Sequence, residues 1–157
     1  MMNTKYETGT TVVEFTLVLP LLLILLFGII QFGWLFYNYA VLTSAASTGA
    51  RLLATQRGYA APYSDTKNAV LSAAGVIAPL ATLNKALTIN ISVNGVLCQS
   101  DAACATALGT ASQAPAVGTQ ASISLSYLFA PILGNPLGGL KLIVPSSLNA
   151  TMSELVQ

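Results

Sequence analysis

Between Phe15 and Ala50 the chain carries no charged side chain, and Glu14 stands at the mouth of that run. Fifteen of the twenty-one positions from Phe15 to Leu35 are Leu, Ile, Val or Phe. Each such residue favours bilayer insertion by about 0.3–0.6 kcal/mol near a helix centre, so the segment as a whole favours lipid by several kcal/mol. About 20 residues span a hydrocarbon core, so one transmembrane helix is expected over about 15–37. Trp34, Tyr37 and Tyr39 follow, where an aromatic belt would meet the headgroups. Pro20 lies inside the run, removes one backbone donor and crowds the carbonyl of Thr16, so a local helix kink is predicted there.

Glu14 is the anomaly. A carboxylate costs roughly 2.5–3.5 kcal/mol at the middle of a membrane helix and less at its edge, so it normally has a partner. Its surroundings, Gly9-Thr10-Thr11-Val12-Val13-Glu14-Phe15, have the spacing of a prepilin-type processing site: a short polar leader ending in glycine, an acid five residues on, then the span. Cleavage after Gly9 would make Thr10 the new N-terminus and Glu14 the fifth residue. An ordinary secretory signal would have a shorter apolar core with a small-residue cleavage site beyond it. Here the small residues past the run continue a helical pattern.

That pattern extends the helix to about residue 57. Leu35, Tyr39, Leu42, Ala46, Gly49, Ala50 and Leu53 recur at intervals of three and four, opposite Tyr37, Ala40, Ser44, Ser47, Thr48, Arg51 and Thr55. Small residues at 45, 46, 49, 50 and 54 allow close helix approach, by the chain's own head or by a partner.

The C-terminal part, 58–157, is expected to be a small α+β head. A helix starting at Ser64-Asp65 leads to Pro79. Leu87, Ile89, Ile91 and Val93 alternate with polar residues as in a half-buried strand, and Asn94-Gly95 signals a hairpin. A second strand follows at 121–127, and a third at 140–152 with Pro145 at an edge or bulge. Cys98 and Cys104 read as a local disulfide closing one head loop, with two free thiols as the alternative. A disulfide requires an oxidising compartment, which puts the head outside the cytoplasm.

Composition excludes much. Only 7% of residues are charged and the net charge is +1, which gives no electrostatic footprint for nucleic acid. Such a surface suits a protein packed among partners. The chain has no histidine, so Ser-His-Asp and Cys-His machinery is impossible, and no metal-ligand or nucleotide-binding spacing occurs. No enzyme activity, cofactor or metal is expected.

These residues resemble the TadE-like family, minor pseudopilins of the tight-adherence (Flp) pilus system. The resemblance lies in Gly9–Phe15, in VVEFTLVLPLLLILLFGIIQFG at 12–33 and in SAASTGARLLA at 44–54, and more loosely in ASISLSYLFAPIL at 121–133 and LNATMSE at 148–154. Gln31 stands where many members carry an acid. The resemblance implies a leader over 1–9, cut between Gly9 and Thr10 by a prepilin peptidase on the cytoplasmic side, with Glu14 and Phe15 serving processing and assembly. It also implies a single-pass inner-membrane protein with a periplasmic head, whose partners are other pilins and pseudopilins, the inner-membrane assembly platform and the lipid bilayer. Its roles would be pilus assembly, adhesion and biofilm formation. A main filament-forming pilin and a signal-anchored periplasmic domain outside any pilus are the alternatives.

Overall fold

A computed structural model of the 157-residue chain describes residues 7–75, 77, 86–109, 118–130 and 145–157. The fold is α+β. A long apolar helix, α1 (Glu7–Thr55), is followed by α2 (Pro62–Ala74), β1 (Leu87–Val93), β2 (Val96–Leu97), α3 (Asp101–Leu108), β3 (Gln120–Leu128) and β4 (Ser147–Leu155). The chain divides into two compact units, 1–36 with 131–142, and 37–130 with 143–157.

In the first unit, the described part is the N-terminal stretch of α1. Most of its large apolar side chains are exposed, Leu17 at 76% and Phe36 at 66% among them, while Phe27, Trp34 and Leu35 are part-exposed and Gln31 is buried. Pro20 lies inside the helix. The Thr16 hydroxyl donates to the Val12 carbonyl at 2.7 Å, so it does not serve the Thr16 carbonyl that Pro20 leaves without its usual donor.

The second unit is a four-stranded antiparallel sheet in the order β2-β1-β3-β4, with helices against its apolar face. Alternation sets that face: Leu87, Ile91 and Val93 on β1, and Ala121, Ile123, Leu125 and Tyr127 on β3, are all buried. The opposite face is hydroxylic. Ser122 meets Ser153 at 2.8 Å and Ser124 meets Thr151 at 3.1 Å across the β3–β4 pair. The β1–β2 turn is built by Asn94 and Gly95, whose φ values of 52° and 78° are those of a type I′ hairpin. The Asn94 side chain also accepts from the Gln120 N–H at 2.9 Å, which ties the turn to the start of β3.

Several expected boundaries shift. The helix expected from Ser64 begins at Pro62, with proline at its first position, where the missing N–H costs nothing. The stretch after Cys98, expected as a loop closed by the disulfide, contains α3, capped by Ser100, whose hydroxyl accepts from the Ala103 N–H at 3.3 Å. Pro145 precedes β4 rather than lying within it, and the predicted strand residues 140–144 lie outside the described residues, as does Pro79.

Candidate functional site

The processing motif lies on α1. That helix already includes Gly9 and Thr10, whose side chains are not described, and it continues unbroken through Glu14 and Phe15. Helical backbone sets Thr10 and Glu14 one turn apart, on one face. Glu14 is exposed, and Phe15 is exposed at 66%. Thus the acid stands on an apolar helix with no neighbouring element described around it.

Residues 12–55 of α1 are the one stretch, among those described, long and apolar enough to cross a membrane, with a mean hydropathy of 2.7 in its most apolar window. Its exposed Leu, Ile, Val and Phe side chains are the second requirement for lipid contact, since each would cost free energy in water in proportion to the apolar area left uncovered. Tyr37 and Tyr39 are half-exposed near the end of this apolar stretch, as interfacial aromatics require.

From Asn38 on, α1 has one buried face: Asn38, Leu42, Ala45, Ala46, Gly49, Ala50, Leu53 and Ala54. The expected stripe holds from Leu42 to Leu53, but Tyr39 is exposed and Asn38 takes the seam position one turn before Leu42. A polar residue on the buried face hid that register from hydrophobic periodicity. The seam's covering element is the head itself. A Cβ on Gly49 would overlap the Val70 Cγ2 of α2 and come within 3.3 Å of the Ile123 Cδ1 of β3. Glycine at 49 is therefore what lets α2 and β3 close on α1. Further along, the C-terminal Gln157 N–H donates to the Ala54 carbonyl at 3.1 Å, and Arg51 pairs with Glu154 at 3.7 Å. That pair is solvent-exposed and contributes little.

Cys98 and Cys104 form the expected disulfide, with a Cα–Cα distance of 5.1 Å and both residues buried. The bond joins the end of the β1–β2 hairpin to the first turn of α3, a helix that sequence periodicity did not reveal. Close to it is a junction that sequence reading missed altogether. Asp101 accepts from the Ser64 N–H at 2.8 Å and from the Ser64 hydroxyl at 2.6 Å, so a carboxylate from α3 caps the N-terminus of α2. Those two bonds, the hydroxyl one foremost, hold the Asp101 carboxyl below its ordinary pKa. The local sequence signal was only that Ala61, the residue preceding α2, has no side chain able to cap it.

Comparison with known families bears on the same helix. Residues 9–51 match the family model described as TadE-like protein. The N-terminal segment is TadE-like. The match begins at Gly9, the glycine of the processing motif, and ends at Arg51, on the exposed face beside the seam on which the head rests. The match covers the N-terminal helix alone, and among the described residues that helix is the one long and apolar enough to anchor a pilin-like protein in a membrane. No curated protein and no solved structure matches the chain.

Proposed function

We propose that this TadE-like chain is a minor pseudopilin: a subunit cut between Gly9 and Thr10 by a prepilin peptidase, held in the inner membrane by α1, and engaged in assembling a tight-adherence pilus that supports adhesion and biofilm formation. The carrying observation is a coincidence on one helix. A glycine, an acid five residues on and an apolar span fall inside the TadE-like match, and the span exposes its apolar side chains rather than burying them. In this reading the leader is cytoplasmic and the head periplasmic, where the Cys98–Cys104 bond persists. The head acts as a binding and structural element without catalytic work, since the histidine that most acid–base sites use is absent.

Glu14 has a physical role in this proposal. Cleavage would create an ammonium group at Thr10, and an amine and a carboxylate that are each desolvated in lipid offset part of that cost by pairing. The pairing partner is the Thr10 amine of a neighbouring subunit or of the same helix, which places the two groups one turn apart.

The test is the intact mass of the membrane form isolated from cells with and without an active prepilin peptidase. The expected mature chain begins at Thr10, and replacing Gly9 by a bulky residue leaves a chain nine residues longer. Retention of Met1 in the presence of the active peptidase removes the basis of the proposal. Glu14→Gln then separates processing from assembly. The variant should insert and be cleaved normally, yet be recovered poorly with partner subunits after crosslinking and support less pilus-dependent attachment. Wild-type recovery and attachment would mean that Glu14 has no part in assembly.

A further inference from the structure

The head contains a three-way junction that the anchor reading does not use. Helix α2 starts without a side-chain cap of its own: Ala61 offers none, and proline follows at the first helical position. Its third-position N–H, that of Ser64, is satisfied instead by Asp101, thirty-seven residues away in sequence, which also takes the Ser64 hydroxyl. Asp101 is the first residue of α3 and Cys104 lies one turn further along it. Cys104 is bonded to Cys98, and Cys98 is itself fixed to the sheet, its N–H donating to the Ile91 carbonyl at 2.9 Å. The chain of fixed points therefore runs from β1 through the disulfide to the first turn of α3, and from there through one carboxylate to the N-terminus of α2.

What α2 does with that support is also visible. It buries Thr66, Val70 and Ala74. Its Val70 occupies the space that the missing side chain of Gly49 leaves on α1. On the α1 side, the Gln56 amide reaches Asp65 of α2 at 3.4 Å, a weak bond that cannot hold the helix alone. Helix α2 has only thirteen residues, near the length below which helices are marginal without tertiary support.

We infer that the Cys98–Cys104 bond is a redox-dependent clasp: by fixing the first turn of α3 it holds the Asp101 carboxylate over the N-terminus of α2, and so seats α2 on α1. Reduction by a dithiol, which gives up two electrons and two protons and itself becomes a disulfide, converts the bond to two thiols. The first turn of α3 then keeps its Ser100 cap and its packing against α2 and β1 but loses its covalent tie to the sheet, and the carboxylate loses its fixed position over Ser64. The clasp closes on oxidation, and α2 gains its seat at that step.

Amide hydrogen exchange followed by mass spectrometry on the full-length protein in detergent micelles tests this, with and without a dithiol. On reduction, peptides covering 62–74 should exchange at least tenfold faster, while peptides covering 120–128 keep their protection. In the oxidised protein, Asp101→Ala should produce the same selective loss, and reducing that variant should add less than twofold. Asp101→Asn, which keeps a neutral acceptor, should fall between the two. The clasp is overturned if reduction leaves 62–74 protected, or if it loosens 62–74 and 120–128 alike, which would make the bond a general staple. It is overturned equally if the effects of reduction and of Asp101→Ala multiply, because independent contacts multiply and a shared one does not.

Discussion

Residues 12–36 and 37–55 belong to one helix, yet they meet different surroundings. The first stretch presents large side chains outward, with Leu17, Phe15 and Phe36 each at least 66% exposed. The second has one buried face of small residues interrupted by two leucines, Leu42 and Leu53, both fully buried. Apolar residues occur in both, so their presence alone does not distinguish lipid contact from core packing. Side-chain size and its periodicity do. Large exposed residues fit a solvent that adapts its shape, whereas a protein neighbour is rigid and needs small residues where backbones approach.

This contrast is open to direct attack. The largest effect is expected from truncating a leucine. Leu53→Ala removes a fully buried side chain from the seam and should lower head stability by about 2–5 kcal/mol. Leu22→Ala, in the exposed stretch, should leave the head's denaturant midpoint in micelles within about 0.5 kcal/mol of the parent. Equal losses at both positions would erase the distinction between the two stretches.

Glycines give a sharper version because the sign of the effect differs. In a helix interior, Gly→Ala ordinarily gains up to about 1 kcal/mol. At Gly28 and Gly33 a Cβ meets nothing within 4 Å, so alanine there should be neutral or mildly stabilising. At Gly49 the same Cβ overlaps Val70, and overpacking of this kind costs about 1–3 kcal/mol, which outweighs the propensity gain. Thermal unfolding of the three variants, followed through the head, should move Gly49→Ala down and leave the other two level or raised. A stabilised Gly49→Ala would show that α2 does not close on α1.

The predicted helix face thus proved legible from Leu42 onward and misleading before it, and the reason is specific. Asn38 is buried and polar, so a search for apolar spacing selects Tyr39 in its place. The same limit hid α3. Of the eight residues from Asp101 to Leu108 only Cys104 and Leu108 are buried, too few to make a period. By contrast, β1, β3 and the Asn94-Gly95 turn were readable because strand alternation and positive φ leave their mark within a few residues. The order β2-β1-β3-β4 places β3 beside β1 across an intervening helix, and the Asp101 cap spans thirty-seven residues. Both are long-range choices with no local signature.

A smaller effect belongs to pH, and it separates the head from the anchor. Asp101 has its carboxyl pKa lowered by the Ser64 hydroxyl, then by the Ser64 N–H, with the Tyr63 backbone adding to them. A group with a depressed folded pKa contributes stability above its unfolded value, here 3.8, and loses it as pH falls through the lower folded value. Protection of amides in 62–74 should therefore decline on acidification below about pH 4, where that unfolded value lies. The decline should be shallower in Asp101→Asn, and the difference between the two proteins isolates this carboxyl from Asp65 and Glu154. Identical acid profiles would remove the charge on Asp101 from the account of α2.

The central claim is that the first stretch of α1 lies in lipid and gives way to headgroups near its aromatic residues. The chain supplies its own probe, because Trp34 is the single tryptophan in the sequence. Full-length protein reconstituted in bilayers should show Trp34 fluorescence quenched most by lipids brominated near the headgroup end of their acyl chains. Lipids brominated near the chain terminus should quench it less, and aqueous iodide least. Strong quenching by iodide with no response to either brominated lipid would place Trp34 in water and contradict the assignment of this stretch to the membrane.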